Sequence, residues 1–137
     1  MVEFGLQLYI TAGLANASIP PGFSDVLPKN QITVATPQAW LWKTILAEPD
    51  YVLEGGGAGY TTWQVQLDCF GYTAAYAMSL ARSIETVLRG SFAGTFADAD
   101  TTKVFGIVRQ PLFLGGFDED NRAFVRSLEY VVTYSQI

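Results

Sequence analysis

With 137 residues, half of them hydrophobic and 15% charged, the chain has the size and composition of one folded domain spanning 1–137, not of a disordered tail. Its net charge of −5 and scattered basic residues exclude a duplex-binding face built from clustered Lys and Arg. The lack of histidine and the single cysteine exclude a Ser-His-Asp site, a histidine general base and a Cys/His zinc site within the chain.

The first element predicted is an amphipathic helix over residues 2–15, with Val2, Leu6, Tyr9, Ile10, Gly13 and Leu14 on one side. Glu3 stands where a secretory leader carries basic residues, and no run of 18 apolar residues occurs, so a soluble, unexported chain with no membrane span is expected. Residues 16–30 contain Pro20-Pro21-Gly22, Ser24-Asp25 and Pro28, the chemistry of a long loop. A short strand is expected at 31–35 and a firmer one at 39–47, where Trp40, Leu41, Trp42, Thr44, Ile45 and Leu46 crowd together. Glu48-Pro49-Asp50 reads as a turn and Tyr51-Val52-Leu53 as a brief extended piece.

Glu54-Gly55-Gly56-Gly57-Ala58-Gly59 has the look of a phosphate loop. Phosphate loops, however, lead into a helix and bring a lysine or a helix N-terminus to the anion, whereas this one enters a strand and holds no base. A flexible hairpin connection is the better reading, and such a loop still has the freedom to order on binding a neighbouring subunit. In the strand, Trp63, Val65, Leu67 and Cys69 alternate with Thr62, Gln64, Gln66 and Asp68, so one face packs and the other meets water or a partner. After Gly71 the period changes. Ala77, Leu80, Ala81, Ile84, Val87 and Leu88 form a helical stripe, with Thr73 as N-cap and Gly90 just past the end. This strand and helix are the unit around which the chain is organised. Cys69, on the packed face, reads as a small core residue and not as a nucleophile.

Residues 91–102 read as a polar surface loop, and 103–114 as an apolar β segment that Pro111 confines to an edge, a bulge or a strand start. Residues 115–121 form a turn holding Asp118, Glu119 and Asp120. Their spacing suits a solvated acidic turn better than a calcium loop. The final segment, 122–135, is the longest strand predicted. Phe124, Arg126, Leu128, Tyr130, Val132 and Tyr134 lie on one face, and with the preceding strand it makes a long C-terminal β-hairpin whose edge invites pairing with another chain. The aromatic content of 14% fits either a large core or the core of a homo-oligomer interface.

The order of these elements resembles the tail completion or tail terminator proteins of long-tailed bacteriophages. An N-terminal helix, the strand at 37–46, the glycine loop at 55–59, Trp63-Gln64-Val65-Gln66-Leu67-Asp68-Cys69, the helix through Leu80-Ala81 to Leu88, and the closing acidic turn and strand all carry it, with Gln66-x-Asp68 the most specific part. The resemblance implies an α+β fold, a mainly antiparallel β-sheet with an N-terminal and a central helix packed on it. It further implies a homo-oligomer, a hexameric ring on the head-proximal end of the tail tube, in contact with the tail tube protein and the head-tail connector protein. That ring ends tube growth, stays in the virion tail or neck after assembly in the host cytoplasm, and passes DNA through its lumen without sequence-specific binding. No catalytic residue, metal or cofactor is implied.

On that reading the subunit interface is expected at Gly55, Gly57, Gly59, Arg126 and Tyr130. An interface Tyr130 predicts that Tyr130→Asp abolishes rings and leaves folded monomers, whereas a core Tyr130 predicts unfolding. Six copies carry about −30, so acidic groups among Asp98, Asp100, Asp118, Glu119 and Asp120 are expected to line or rim the lumen and repel the phosphates. The other readings are a head-closure or neck component of a phage and, well behind, an enzyme using carboxylates alone, for which no pair of acids has a recognisable spacing.

Overall fold

The computed structural model describes residues 2–14, 19, 22–28, 31–51, 57–89, 94–95 and 102–136. Within it the alternation at 61–70 becomes the inner part of β3 (Gly57–Gly71), and the helical stripe becomes α2 (Ala74–Leu88). Thr73 caps α2: its backbone is extended and its hydroxyl accepts a hydrogen bond from the Tyr76 N–H at 3.3 Å. Gly90 lies outside the described residues. Gly71 allows the abrupt passage from strand to helix, because a β-carbon there would press on the Ala77 amide nitrogen and come within 2.7 Å of the Thr73 carbonyl oxygen.

The other elements are α1 (Val2–Leu14), β1 (Phe23–Ser24), β2 (Gln38–Tyr51), β4 (Gly94–Thr95), β5 (Thr102–Asp118) and β6 (Ala123–Gln136). The strands form one six-stranded sheet in the order β1-β2-β3-β6-β5-β4, and every pairing is antiparallel except the short β1–β2. The fold is therefore α+β, a mainly antiparallel sheet with two helices and a long C-terminal hairpin.

Trp63, Val65, Leu67 and Cys69 of β3 meet Val132, Tyr130, Leu128 and Arg126 of β6 in register, and Ile107 of β5 extends the row beside Val132. The stripe of α2 lies on this face, with Ala77, Leu80, Ala81, Ile84 and Leu88 buried and Val87 half-buried. α1 adds Leu6 and Ile10 to the same core. It is tied down where Gln7 accepts from the Trp42 indole N–H at 3.2 Å, and Trp42 stands edge-on to Trp63, whose own indole N–H reaches the Thr44 hydroxyl at 2.9 Å.

Four expectations are corrected. The segment 31–35 is no strand. Thr33 and Thr36 close a turn on each other through two hydrogen bonds, and Ile32 turns inward. Glu48-Pro49-Asp50 continues β2, paired with Thr62, Thr61 and Tyr60; proline is tolerated because, among the described residues, only β3 pairs with β2 there. The acidic turn is confined to 119–122, since Gly115 to Asp118 pair with Arg126 to Ala123. The loop expected at 91–102 contains β4 and ends in Thr102, the first residue of β5; its other residues, Asp98 and Asp100 among them, lie outside the described ones.

The face of the sheet away from the helices is not uniformly wet. Phe70, Ala39, Leu41 and Ala123 form a second small core there, covered by Leu27 and Ile32 from the 22–36 segment, in which Asp25 takes a positive φ of 63°. The alternation that marked one face of β3 as polar holds only as far as Asp68.

Because the obstruction at Gly71 is backbone, Gly71→Ala is expected to lower stability by about 3 kcal/mol, and Thr73→Ala by about 1 kcal/mol. Urea unfolding followed by circular dichroism checks both, and equal midpoints for the two variants would contradict the difference drawn between them.

Candidate assembly surfaces

In β-sheets, unpaired backbone is confined to the edges, and a protein that exposes edges either blunts them or uses them. β6 is not an edge: it is paired with β3 on one side and β5 on the other. The exposed arm expected of the last segment is therefore an inner strand. Tyr130, at 3% exposure, belongs to the core of its own chain and is not available to a neighbouring subunit as expected. Arg126 is half-buried, opposite Gly115. Of the glycines, Gly57 pairs with Tyr51 near the closed end of the β2–β3 hairpin, Gly59 is in β3, and Gly55 lies outside the described residues.

The free borders are on other strands. β1 covers β2 only at Leu41 and Trp42, and β4 covers β5 only at Lys103 and Val104. Among the described residues, the outer sides of β2 over 43–51 and of β5 over 105–118 have no strand partner. Each carries an irregularity: β2 bulges at Ile45, and three residues of β5 around Pro111 stand opposite Glu129 alone. Ile45 and Val108 are exposed on these borders.

The Gln66-x-Asp68 signal occupies the back face. Asp68 is only 5% exposed, and its carboxylate accepts from the Ser127 hydroxyl at 2.6 Å and from the Gln66 amide at 2.8 Å, with the Lys43 ammonium 3.2 Å from its second oxygen. Glu129, also buried, accepts from Gln64. Each buried carboxylate thus has donors on neighbouring strands, and the row locks β2, β3 and β6 in register. Cys69 is buried on the opposite face. Burial, reinforced by the charges of Asp68 and Glu85, pushes its thiol far above the ordinary 9.0, which holds it in the unreactive protonated form.

Asp118 organises the hairpin turn, accepting from the Asp120 and Asn121 backbone N–H groups at 3.0 and 3.4 Å and from the Asn121 side chain at 2.8 Å. Arg122 follows with φ 49°. Glu119 and Asp120 are exposed at the tip, so three carboxylates gather at one end of the sheet. That end also carries exposed aromatic rings that sequence reasoning did not single out. Phe117 and Phe124 stack edge to face at 5.1 Å and, with Arg126 of β6 and Ala74, Ala77 and Met78 at the start of α2, line a hollow of about 200 Å³. Tyr72 and Tyr76 are exposed where β3 passes into α2. The hollow joins residues some forty positions apart, and only the pairing of Gly71 with Phe124 brings them together. At the other end of α2, Arg109 of β5 bridges to Glu85 at 3.0 Å.

No protein-family model matches the chain, and no curated protein matches its sequence.

Two outcomes follow from the burial of Tyr130. Tyr130→Asp is expected to unfold the monomer, read as loss of the cooperative thermal transition, because it puts a carboxylate among Val65, Ile84 and Leu128. Burial first, and then the charge of Glu85, raise the phenol from 10.0 to about 12. A raised folded-state pKa contributes stability below the unfolded value that is lost at higher pH. The urea midpoint is therefore expected to fall as pH climbs through that interval, and less steeply in Tyr130→Phe. Identical slopes in the two proteins would contradict this.

Proposed function

We propose that this chain closes edge to edge with copies of itself into a ring and serves as a structural virion protein, capping the head-proximal end of a phage tail tube and forming the surface that joins head to tail. The observation that carries the reading is a pair of long borders, β2 over 43–51 and β5 over 105–118, on opposite sides of one sheet and without a strand partner among the described residues. An interface between two different borders of the same protein is heterologous, and when the rotation it imposes closes, the product is a ring. The bulge at Ile45 and the break around Pro111 disfavour flat, unlimited strand addition, so growth is finite. The order of elements that resembles the tail terminator proteins supports the position on the tube, and the resemblance supports six copies. On this reading the acidic turn of Asp118, Glu119 and Asp120 rims the lumen, where like charge discourages DNA from sticking.

Electron microscopy of the purified protein mixed with tail tubes tests the position: a cap at one end of each tube is expected. Bare tube ends with binding to the connector instead would assign the chain to the neck, and a monomer at every concentration with no binding to either would overturn the reading. Ile45→Lys adds a charge at an exposed position of the β2 border without touching the core. It is expected to abolish rings while the circular dichroism spectrum stays that of the folded chain, with mass measured by light scattering.

A further inference from the structure

We infer that the exposed side of α1 in one copy packs into the hollow between α2 and β5 of the next, so that each subunit supplies a helix to its neighbour's sheet. This contact rests on the ring reading and adds a second layer to it, a helix in a groove above the joined strand borders.

The helices do not cover the sheet evenly. α2 lies on β3 and β6, and its flank toward β2 is engaged. On that flank the Gln38 amide donates to the Tyr76 carbonyl at 2.9 Å, and Tyr9 of α1 donates its hydroxyl to the Val87 carbonyl at 3.3 Å. Gly13 of α1 lies so close that a β-carbon there would come within 2.6 Å of the Val87 side chain. The other flank, toward β5, has no helix beside it among the described residues. There Glu85, Leu88 and Arg89 of α2 and Ile107, Val108 and Arg109 of β5 line a hollow of about 370 Å³, crossed by the Glu85–Arg109 ion pair.

Spacing decides what fits. Packed helices stand roughly 8–10 Å apart and neighbouring strands about 4.8 Å, so a helix next to α2 has its axis about two strands away. That places it over the outer border of β2 on one side and over the outer border of β5 on the other. α1 takes the first position, where Gln7 accepts from Trp42. When the β2 border of the next copy joins the β5 border, its α1 falls in the second position, one helix spacing from both α2 helices. The strand sense agrees: β2, β3, β6 and β5 alternate in direction, so a copy added in the same orientation sets its β2 antiparallel to β5. The height agrees as well, because Tyr9 and Gly13 lie against Val87, level with Glu85 and Leu88 at the hollow.

The two surfaces also match in chemistry. α1 has Glu3 as its one charged residue, and a helix this apolar on every side is ordinarily covered on every side. Leu6 and Ile10 face the core, whereas Leu8 is 49% exposed and Ala12, four residues on, is exposed on the same stripe. Leu88, Ile107 and Val108 give the hollow its apolar lining. Arg89 and Arg109 stand at it too, and a helix without lysine or arginine meets no like charge there. Complementary halves on opposite sides of one chain are what a heterologous contact requires, and a separate protein in the hollow would leave Leu8 uncovered.

Cross-linking of the full chain with a short bis-maleimide tests the contact. Leu8→Cys and Arg89→Cys are both at exposed positions, on one chain α2 stands between them, and Cys69 is buried. A mixture of the two single variants is expected to give a cross-linked dimer, the double variant a ladder of higher multimers, and either single variant alone neither. Leu8→Asp is expected to raise the concentration needed for half-assembly by about tenfold or more with the folded circular dichroism spectrum unchanged, and Leu8→Met to leave it unchanged. Rings with no cross-link in the mixture would overturn the inference and leave the ring reading standing. A dimer from one single variant alone would also overturn it, because like meets like only in a two-fold contact. A chain that stays monomeric at every concentration removes the ring reading, and the helix contact with it.

Discussion

The structure depends on one act of burial: the row Trp63, Val65, Leu67 and Cys69 on β3 held under the stripe Leu80, Ala81, Ile84 and Leu88 on α2. Each large side chain in that row contributes roughly 1.5–3 kcal/mol when removed from water, and the two elements are neighbours in sequence, so little chain entropy is spent in bringing them together. β3 then acts as template on both sides. β2 returns against one edge through the hairpin and β6 arrives at the other, each presenting its own apolar alternation to the same layer. Gly71 fixes how sharply α2 folds back, because its backbone runs against the first turn of the helix where no side chain fits.

The back face adds specificity to this stability. A slip of β2 or β6 by one residue would turn apolar groups outward. A slip of β6 would also take Ser127 from Asp68 and a slip of β2 would take Lys43, leaving the buried carboxylate short of a donor. The small apolar cluster under Leu27 and Ile32 anchors the segment from 22 to 36 at one end of that face. The polar row fills the adjoining part, so the strands are registered twice by different chemistry, once through volume and once through hydrogen bonds.

Arranged this way, the sheet puts its irregular features at its borders. The inner strand β6 pairs with β3 from Tyr134 to Phe124 with no register shift, while bulges fall on the β2 and β5 pairings. Bulges and prolines at borders restrain indiscriminate strand addition and leave only stretches of particular shape open to another chain. The aromatic end lies beyond the row in which Gln38, Gly71, Phe124 and Phe117 are neighbours, a different part of the surface from the outer side of β2. The sides and the end of the sheet therefore differ in chemistry: backbone along the sides, and apolar rings at the end that carries the acidic turn.

Local periodicity carried the sequence reading a long way. The alternation at 61–70, the stripe from Ala77 to Leu88, the cap at Thr73, the N-terminal helix and the interruption at Pro111 are statements about neighbours in the chain, and the structure agrees with each. Strand order was not legible, because alternation says which face of a strand is buried and nothing about which strand lies beside it. That is why Tyr130 and the last strand were expected at a border and lie inside. The continuation of β2 through Pro49 was missed for a related reason: whether a proline ends a strand depends on whether its nitrogen faces a partner, and that is decided by the sheet. Asp68 was visible as a signal, but its burial among Ser127, Gln66 and Lys43 came from registers between distant segments. By itself the sequence determined the helices, the faces of the strands and the absence of histidine chemistry. Only the tertiary structure decided which edges are free and which rings share a hollow, because both depend on contacts between residues far apart in the chain.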